Sequence, residues 1–149
     1  MIEITETAAI QRTEEASRTA SELQALGVRI CLDDFGAGNA DLRMMRELRP
    51  NVVKLDGSYV RGIDGHERER AMVSGIVEVA RATGAHIVAE SIETEAEAAT
   101  VMQLGVEFGQ GWLFARPGPL PALRSPEREA VRTPAPRPRR RSSGDEMWE

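Results

Sequence analysis

Several things are scarce in this chain, and each scarcity removes an option. It has one cysteine, Cys31, so it can form no internal disulfide and no cysteine cluster for a metal. Set in an apolar stretch, Cys31 reads as a small buried hydrophobe. No apolar run approaches the roughly 18 to 20 residues of a membrane span. The N-terminus carries Glu3 and no basic flank, unlike a signal peptide. Together these point to a cytoplasmic protein. The only two histidines, His66 and His86, have no partner in the pattern and are given no catalytic role. Lysine is the sharpest shortage: of 19 basic residues, only Lys54 is not arginine.

Proline is also nearly missing from the first 116 residues, with only Pro50, whereas seven follow from Pro117 onward. That shift marks a boundary. The organisation expected is a folded domain over 1–117 and a Pro/Arg-rich disordered tail over 118–149. Twelve basic and 19 acidic groups before residue 118 give −7, and seven arginines against five acids after it give +2, recovering the overall −5. An acidic folded part argues against nucleic acid binding there, and the Arg137–Arg141 cluster reads as a solvated tail.

What is present is a repeated alternation of short apolar runs with helical stretches. The runs are Met1–Thr5, Val28–Asp33, Val52–Asp56, His86–Glu90 and Val106–Gly111. Between them, apolar spacing predicts helices near 7–26, 42–48, 67–83 and 95–104, with Gly27, Pro50, Gly84 and Gly105 as stops. Thr94 and Glu97 have the spacing of a capping box. Five strands alternating with four helices imply a parallel sheet, either doubly wound or a barrel.

Polar residues collect at the C-terminal end of each run: Glu3, then Asp33 and Asp34, then Lys54 and Asp56, then Glu90, then Gln110. In a (β/α)8 barrel that end carries the active site. The adjacent aspartates taken alone equally suit a turn. Five carboxylates and one lysine give −4, a charge that a concave site sustains only with counter-ions. Oxygen ligands without clustered His or Cys favour Mg²⁺, Mn²⁺ or Ca²⁺, and a pair of such ions suits attack on phosphorus. A lone lysine among arginines suits a compact ammonium beside a water or phosphate; the alternative is a lysine snorkelling from a strand end.

These residues resemble a known family. EITE at Glu3–Glu6, DDFGAG at Asp33–Gly38, KLD at Lys54–Asp56, VAESIE at Val88–Glu93 and GQGWLF at Gly109–Phe114 are similar to the successive motifs of the EAL domain. The resemblance implies the last five of eight strands of a TIM-type barrel. It also implies hydrolysis of cyclic di-GMP to the linear dinucleotide with two Mg²⁺ or Mn²⁺ ions. By the same resemblance Glu3, Asp33, Asp34 and Glu90 are metal ligands, with Glu90 and Lys54 catalytic. Asp56, Glu93 and Gln110 fall at substrate or supporting positions, and Glu6, Gly36 and Gly38 brace the loop after the double aspartate.

Two departures shape the expectation. The loop carries Ala37, Asn39, Ala40 and Asp41 where the family has hydroxyl and aromatic groups, at a place that serves dimerisation and site geometry. The Glu-Ala-Leu signature and a metal-binding Asn belong on strands preceding Met1 and are absent from these 149 residues. The chain alone is therefore expected to bind the first ion weakly and turn over little or nothing. Its unpaired edges would be covered by a second copy or a partner chain. The other functional reading is a non-catalytic cyclic di-GMP-binding or protein-interaction module. Enolisation on a similar barrel fits the motif order poorly, and a dinucleotide site at GAGNAD fails because its acids would repel a pyrophosphate.

Overall fold

The computed structural model describes residues 1–5, 7, 13–38 and 42–118. Glu6, the loop positions Asn39, Ala40 and Asp41, and the expected tail from residue 119 onward lie outside the described residues.

Three helix-to-strand connections are built on one local device. After α1 (Thr13–Ala25), Gly27 takes φ 81°, its amide donates to the Gln24 carbonyl, and the Val28 amide donates to Leu23. The same pair of bonds recurs at Gly84 (φ 78°), after α3 (Glu67–Thr83), and at Gly105 (φ 92°), after α4 (Glu95–Gln103). Each is a Schellman motif, which needs a left-handed residue and turns the chain sharply back toward the next strand. The helix α2 (Leu42–Leu48) runs instead into Arg49 and the buried Pro50.

The strands are β1 (Ile2–Thr5), β2 (Ile30–Phe35), β3 (Val52–Leu55), β4 (His86–Ala89) and β5 (Phe108–Gly109), all parallel and in the order β1-β2-β3-β4-β5. A doubly wound sheet reverses its strand order at a switch point; this one does not, and it follows the winding of a barrel. β1 and β5 stand at the ends of that order.

Side-chain parity divides the sheet into two faces. Ile30, Leu32, Val53, Leu55, Ile87 and Ala89 point to one side and pack with Ala20, Met45, Leu48, Val73, Ile76, Val77, Ala80 and Val101 from the helices. The other side carries Glu3, Cys31, Asp33, Val52, Lys54, His86 and Val88, paired by register as Glu3 with Cys31, Cys31 with Val52, and Lys54 with Val88. The apolar side is the core; the polar side is where the site lies.

Some boundaries differ from expectation. β5 is two residues long rather than six, because the segment from Gln110 turns onto the loop after β4: Gly111 packs where any side chain would strike the Ile92 backbone. Leu26 and Met72, apolar residues within the expected helices, are mostly and half exposed respectively. Two 3-10 turns, Gly57–Tyr59 and Ile63–Gly65, lie between β3 and α3 and had no sequence counterpart.

Candidate cation and phosphate site

Two adjacent residues of a regular strand point to opposite faces, so Asp33 and Asp34 should diverge. They do not, because β2 bulges at that point. Leu32 pairs with Val53 but Phe35 pairs with Leu55, so three steps along β2 match two along β3. Asp34 absorbs the extra residue in a left-handed conformation, φ 55°. The bulge aims both carboxylates at one rim and returns Phe35 to the core, where it is fully buried. Gly36 follows at φ 102° beneath the Tyr59 ring, which leaves no room for a Cβ. Gly38 is exposed.

The rim continues one residue past each strand. The amide of Asp56 donates to Phe35, that of Glu90 to Leu55, and that of Gln110 to Ala89. Glu90 thereby lies beside the aspartates, and carboxylate oxygens of Asp33, Asp34 and Glu90 all fall within 4.8 Å of one another. Ser91 then turns left-handed, φ 57°. Such strain in non-glycine residues gathers at functional sites.

Lys54 ties the group together. Its Nζ lies 2.6 Å from Asp33 Oδ1 and 2.7 Å from Glu90 Oε1, with Glu3 Oε1 farther off at 3.9 Å. The side chains of Lys54, Asp33 and Glu90 are 15%, 17% and 13% exposed, dry enough for these pairs to count, whereas Glu3 is half exposed. Burial alone would lower the Lys54 pKa, but the hydrogen bonds and charges of Asp33 and Glu90 raise it above the ordinary lysine value. Gln110 Nε2 donates to the same Glu90 Oε1 at 2.7 Å and holds that carboxylate together with Lys54.

Four carboxylates (Glu3, Asp33, Asp34, Glu90) against one ammonium leave −3 at the rim. Ligands of a Mg²⁺-sized ion, each about 2.1 Å from it, stand at most about 4.2 Å apart, and Ca²⁺ allows up to about 5 Å. The Asp33–Asp34–Glu90 group fits one hard divalent ion with small side-chain rotations. Glu3 lies outside that tight group and meets it through Lys54.

The remaining expected residues fall around this centre. Asp56 caps the first 3-10 turn, accepting from the Ser58 amide at 2.9 Å; the Ser58 hydroxyl and the Ser58 and Gly57 amides hold its carboxyl below the usual range. Glu93 lines a neighbouring cleft of about 500 Å³ with Arg61, Ser91, Gln110, Trp112 and Arg116. Arg116 stacks on the Trp112 ring, 4.6 Å from its centroid. Arg61, Trp112 and Arg116 were not singled out from the sequence. The signal available was that Trp112 and Arg116 follow the Gln110 turn directly.

The profile of the EAL domain matches residues 1–117. The chain belongs to the EAL domain family. Among relatives of this EAL unit, Cyclic di-GMP phosphodiesterase PdeF of Escherichia coli is 34% identical over 120 residues, covering 80% of this chain and 16% of that protein. Cyclic di-GMP phosphodiesterase RocR of Pseudomonas aeruginosa is 34% identical over 119 residues, again 80% of this chain and 30% of that protein. Of solved structures, Klebsiella pneumoniae BlrP1 in complex with manganese and cyclic di-GMP superposes with a TM-score of 0.73 at 33% identity, over 78% of this chain and 30% of that one. The EAL unit thus spans less than a third of the length of these relatives. The five parallel strands alternating with helices match that TIM-barrel-like EAL neighbour. No helix among the described residues is long and apolar enough to cross a membrane.

Proposed function

We propose that the Asp33–Asp34–Glu90 group with Lys54 is the cation- and phosphate-handling part of a cyclic di-GMP phosphodiesterase site acting in the cytoplasm. The observation that carries the reading is the meeting of Asp33 and Asp34, aimed at one rim by a bulge, with Glu90, two of the three pairing with the only lysine in the chain. Mg²⁺ or Mn²⁺ held there would supply charge to lower the pKa of a water and to neutralise a phosphodiester oxygen. Asp33, Asp34 and Glu90 would hold the ion, and Asp33 with Glu3 would serve a second one on the family resemblance. Glu90, steadied through Oε1 by Gln110, would accept the proton of the attacking water on its other carboxylate oxygen. Lys54, paired with Asp33 and Glu90, would offer its ammonium to the phosphate. Glu93 contributes to the cleft beside the reacting centre, while Asp56, Gly36 and Gly38 support the rim; the role of Glu6 in bracing the loop is proposed on the family resemblance.

On the family resemblance Glu3 and Asp33 are the residues of this chain that would hold a second ion, and the sheet ends on two strands with one neighbour each. We therefore propose that this 149-residue chain, assayed alone, binds one ion usefully and turns over little. A second copy or another chain would cover the sheet ends. The test is titration with Mn²⁺ followed by chromatography for linear dinucleotide. Mn²⁺ binding that falls at least about tenfold in Asp33→Asn or Asp34→Asn supports the site. Indifference of both variants removes it, and rapid product from the wild-type chain refutes low turnover. A non-catalytic cyclic di-GMP-binding module is the second reading, favoured by the half-exposed position of Glu3; binding that requires Asp33 but yields no product selects it.

A further inference from the structure

Glu97 is the buried charged residue among those described, 6% exposed, and it does more than its capping box requires. A capping box needs one carboxylate oxygen on the N-cap amide. Here Oε2 accepts from the amides of Glu93 at 2.9 Å and Thr94 at 3.0 Å. Oε1 reaches across to the amide of Gly62, 35 residues earlier, at 2.8 Å. Gly62 stands in the connection between the two 3-10 turns after β3, directly behind Arg61. Glu93 is in the connection after β4. Arg61 and Glu93 both line the cleft beside Glu90.

We propose that Glu97 is a positioning residue that fastens the segments leaving β3 and β4 to each other and so sets the spacing of Arg61 and Glu93 across the cleft. A carboxylate suits this task because its two oxygens are both acceptors. Burial would raise its pKa, but the Gly62, Glu93 and Thr94 amides outweigh that and hold it below the ordinary glutamate value, so it stays charged. Glutamine is not an equivalent. Its amide NH₂ would face a backbone N–H on one side or the other, and one of the two segments would lose its acceptor.

The test is backbone amide hydrogen exchange on the 149-residue chain. In Glu97→Ala, which removes both acceptor oxygens, exchange at Gly62 and at Glu93 or Thr94 should speed up by about tenfold or more while β3 and α3 amides stay unchanged. Thr94→Ala removes only the capping hydroxyl and should loosen the first turn of α4 while leaving Gly62 within about twofold. Unchanged Gly62 exchange in Glu97→Ala would reduce Glu97 to a helix cap and overturn the proposal. Should that variant unfold, the wild-type chain still decides. The Gly62, Glu93 and Thr94 amide shifts must titrate with one shared midpoint below the ordinary glutamate value, and separate midpoints overturn it.

A second measurement rests on the nucleotide reading above: calorimetric titration with cyclic di-GMP. Glu97→Gln should weaken nucleotide binding by about tenfold with Mn²⁺ affinity within about twofold, since the cleft shifts and the ion ligands do not. Equal loss of both contradicts a positioning role. Absence of nucleotide binding by the wild-type chain would sink the nucleotide reading, while the exchange data still judge Glu97.

Discussion

Replacing Lys54 by methionine keeps the aliphatic stem and removes only the ammonium. Asp33 and Glu90 would then face each other, with Asp34 and Glu3 close by, and the charge of the group would fall from −3 to −4. Two charge-assisted hydrogen bonds disappear, each worth roughly 1.5–3 kcal/mol. Breaking a fully buried pair costs about 3–5 kcal/mol, but these groups are 13–17% exposed and partly hydrated, so a loss of about 2–3 kcal/mol follows. For a unit of this size that is a fall in Tm of roughly 10 °C. The pKa of Lys54 is raised in the folded state, so its contribution is complete below about 10.5, the unfolded value, and fades only as pH rises through the folded value. The gap between variant and wild type should accordingly be constant from pH 6 to 9. Mn²⁺ supplies the missing positive charge, and the variant has no ammonium to displace. At the same concentration it should gain more Tm from Mn²⁺ than the wild type does. Circular dichroism melts with and without Mn²⁺ measure both quantities. A Tm within about 2 °C of wild type, or equal gains from Mn²⁺, would refute the view that Lys54 is the internal counter-ion of this rim.

Further outcomes follow from strain, packing and protonation. Ser91→Gly should stabilise by about 0.5–1 kcal/mol in denaturant melts, because relief of the left-handed φ of 57° exceeds the added chain entropy. Gly36→Ala should cost more than about 2 kcal/mol, since the new methyl meets the Tyr59 ring at a φ of 102°. Glu97 and Asp56 both have lowered pKa values, so their stabilisation is present above the unfolded values of about 4.5 and 3.8 and is lost as pH falls below them. Acid titration should show this limb, and Glu97→Gln should flatten its upper part. Cys31, fully buried with its pKa raised to about 11 by burial and then by the Glu3 charge, should react with a disulfide reagent at pH 8 only as fast as the fold opens.

The alternation of elements was legible because each boundary carried its own chemistry. Gly27, Gly84 and Gly105 each closed a helix, α3 fell on the expected 67–83, and Thr94 with Glu97 formed the capping box their spacing suggested. Collection of acids at the strand exits was legible as well, since Asp33, Asp34, Lys54 and Glu90 do meet. Parity reasoning failed where strands stop. Counting in twos along Val52–Asp56 puts Asp56 on the Lys54 face, but β3 ends at Leu55 and Asp56 turns to cap the next residues. Counting in twos would also have parted Asp33 from Asp34; a bulge is a two-strand property and leaves no mark in one strand read alone. The bond from Gly62 to Glu97 spans 35 residues and was beyond local patterns for the same reason.

The division of the sheet into an oily side and a charged side makes this domain intolerant of frame shifts within its strands. One residue inserted ahead of Asp33 would trade places between Leu32 and its neighbour, burying a carboxylate among Val53 and Ile87 and presenting leucine to the rim. Length variation among natural or engineered versions should therefore accumulate at the helix-side turns such as Gly27 and Gly84, where an added residue shifts no alternating pattern.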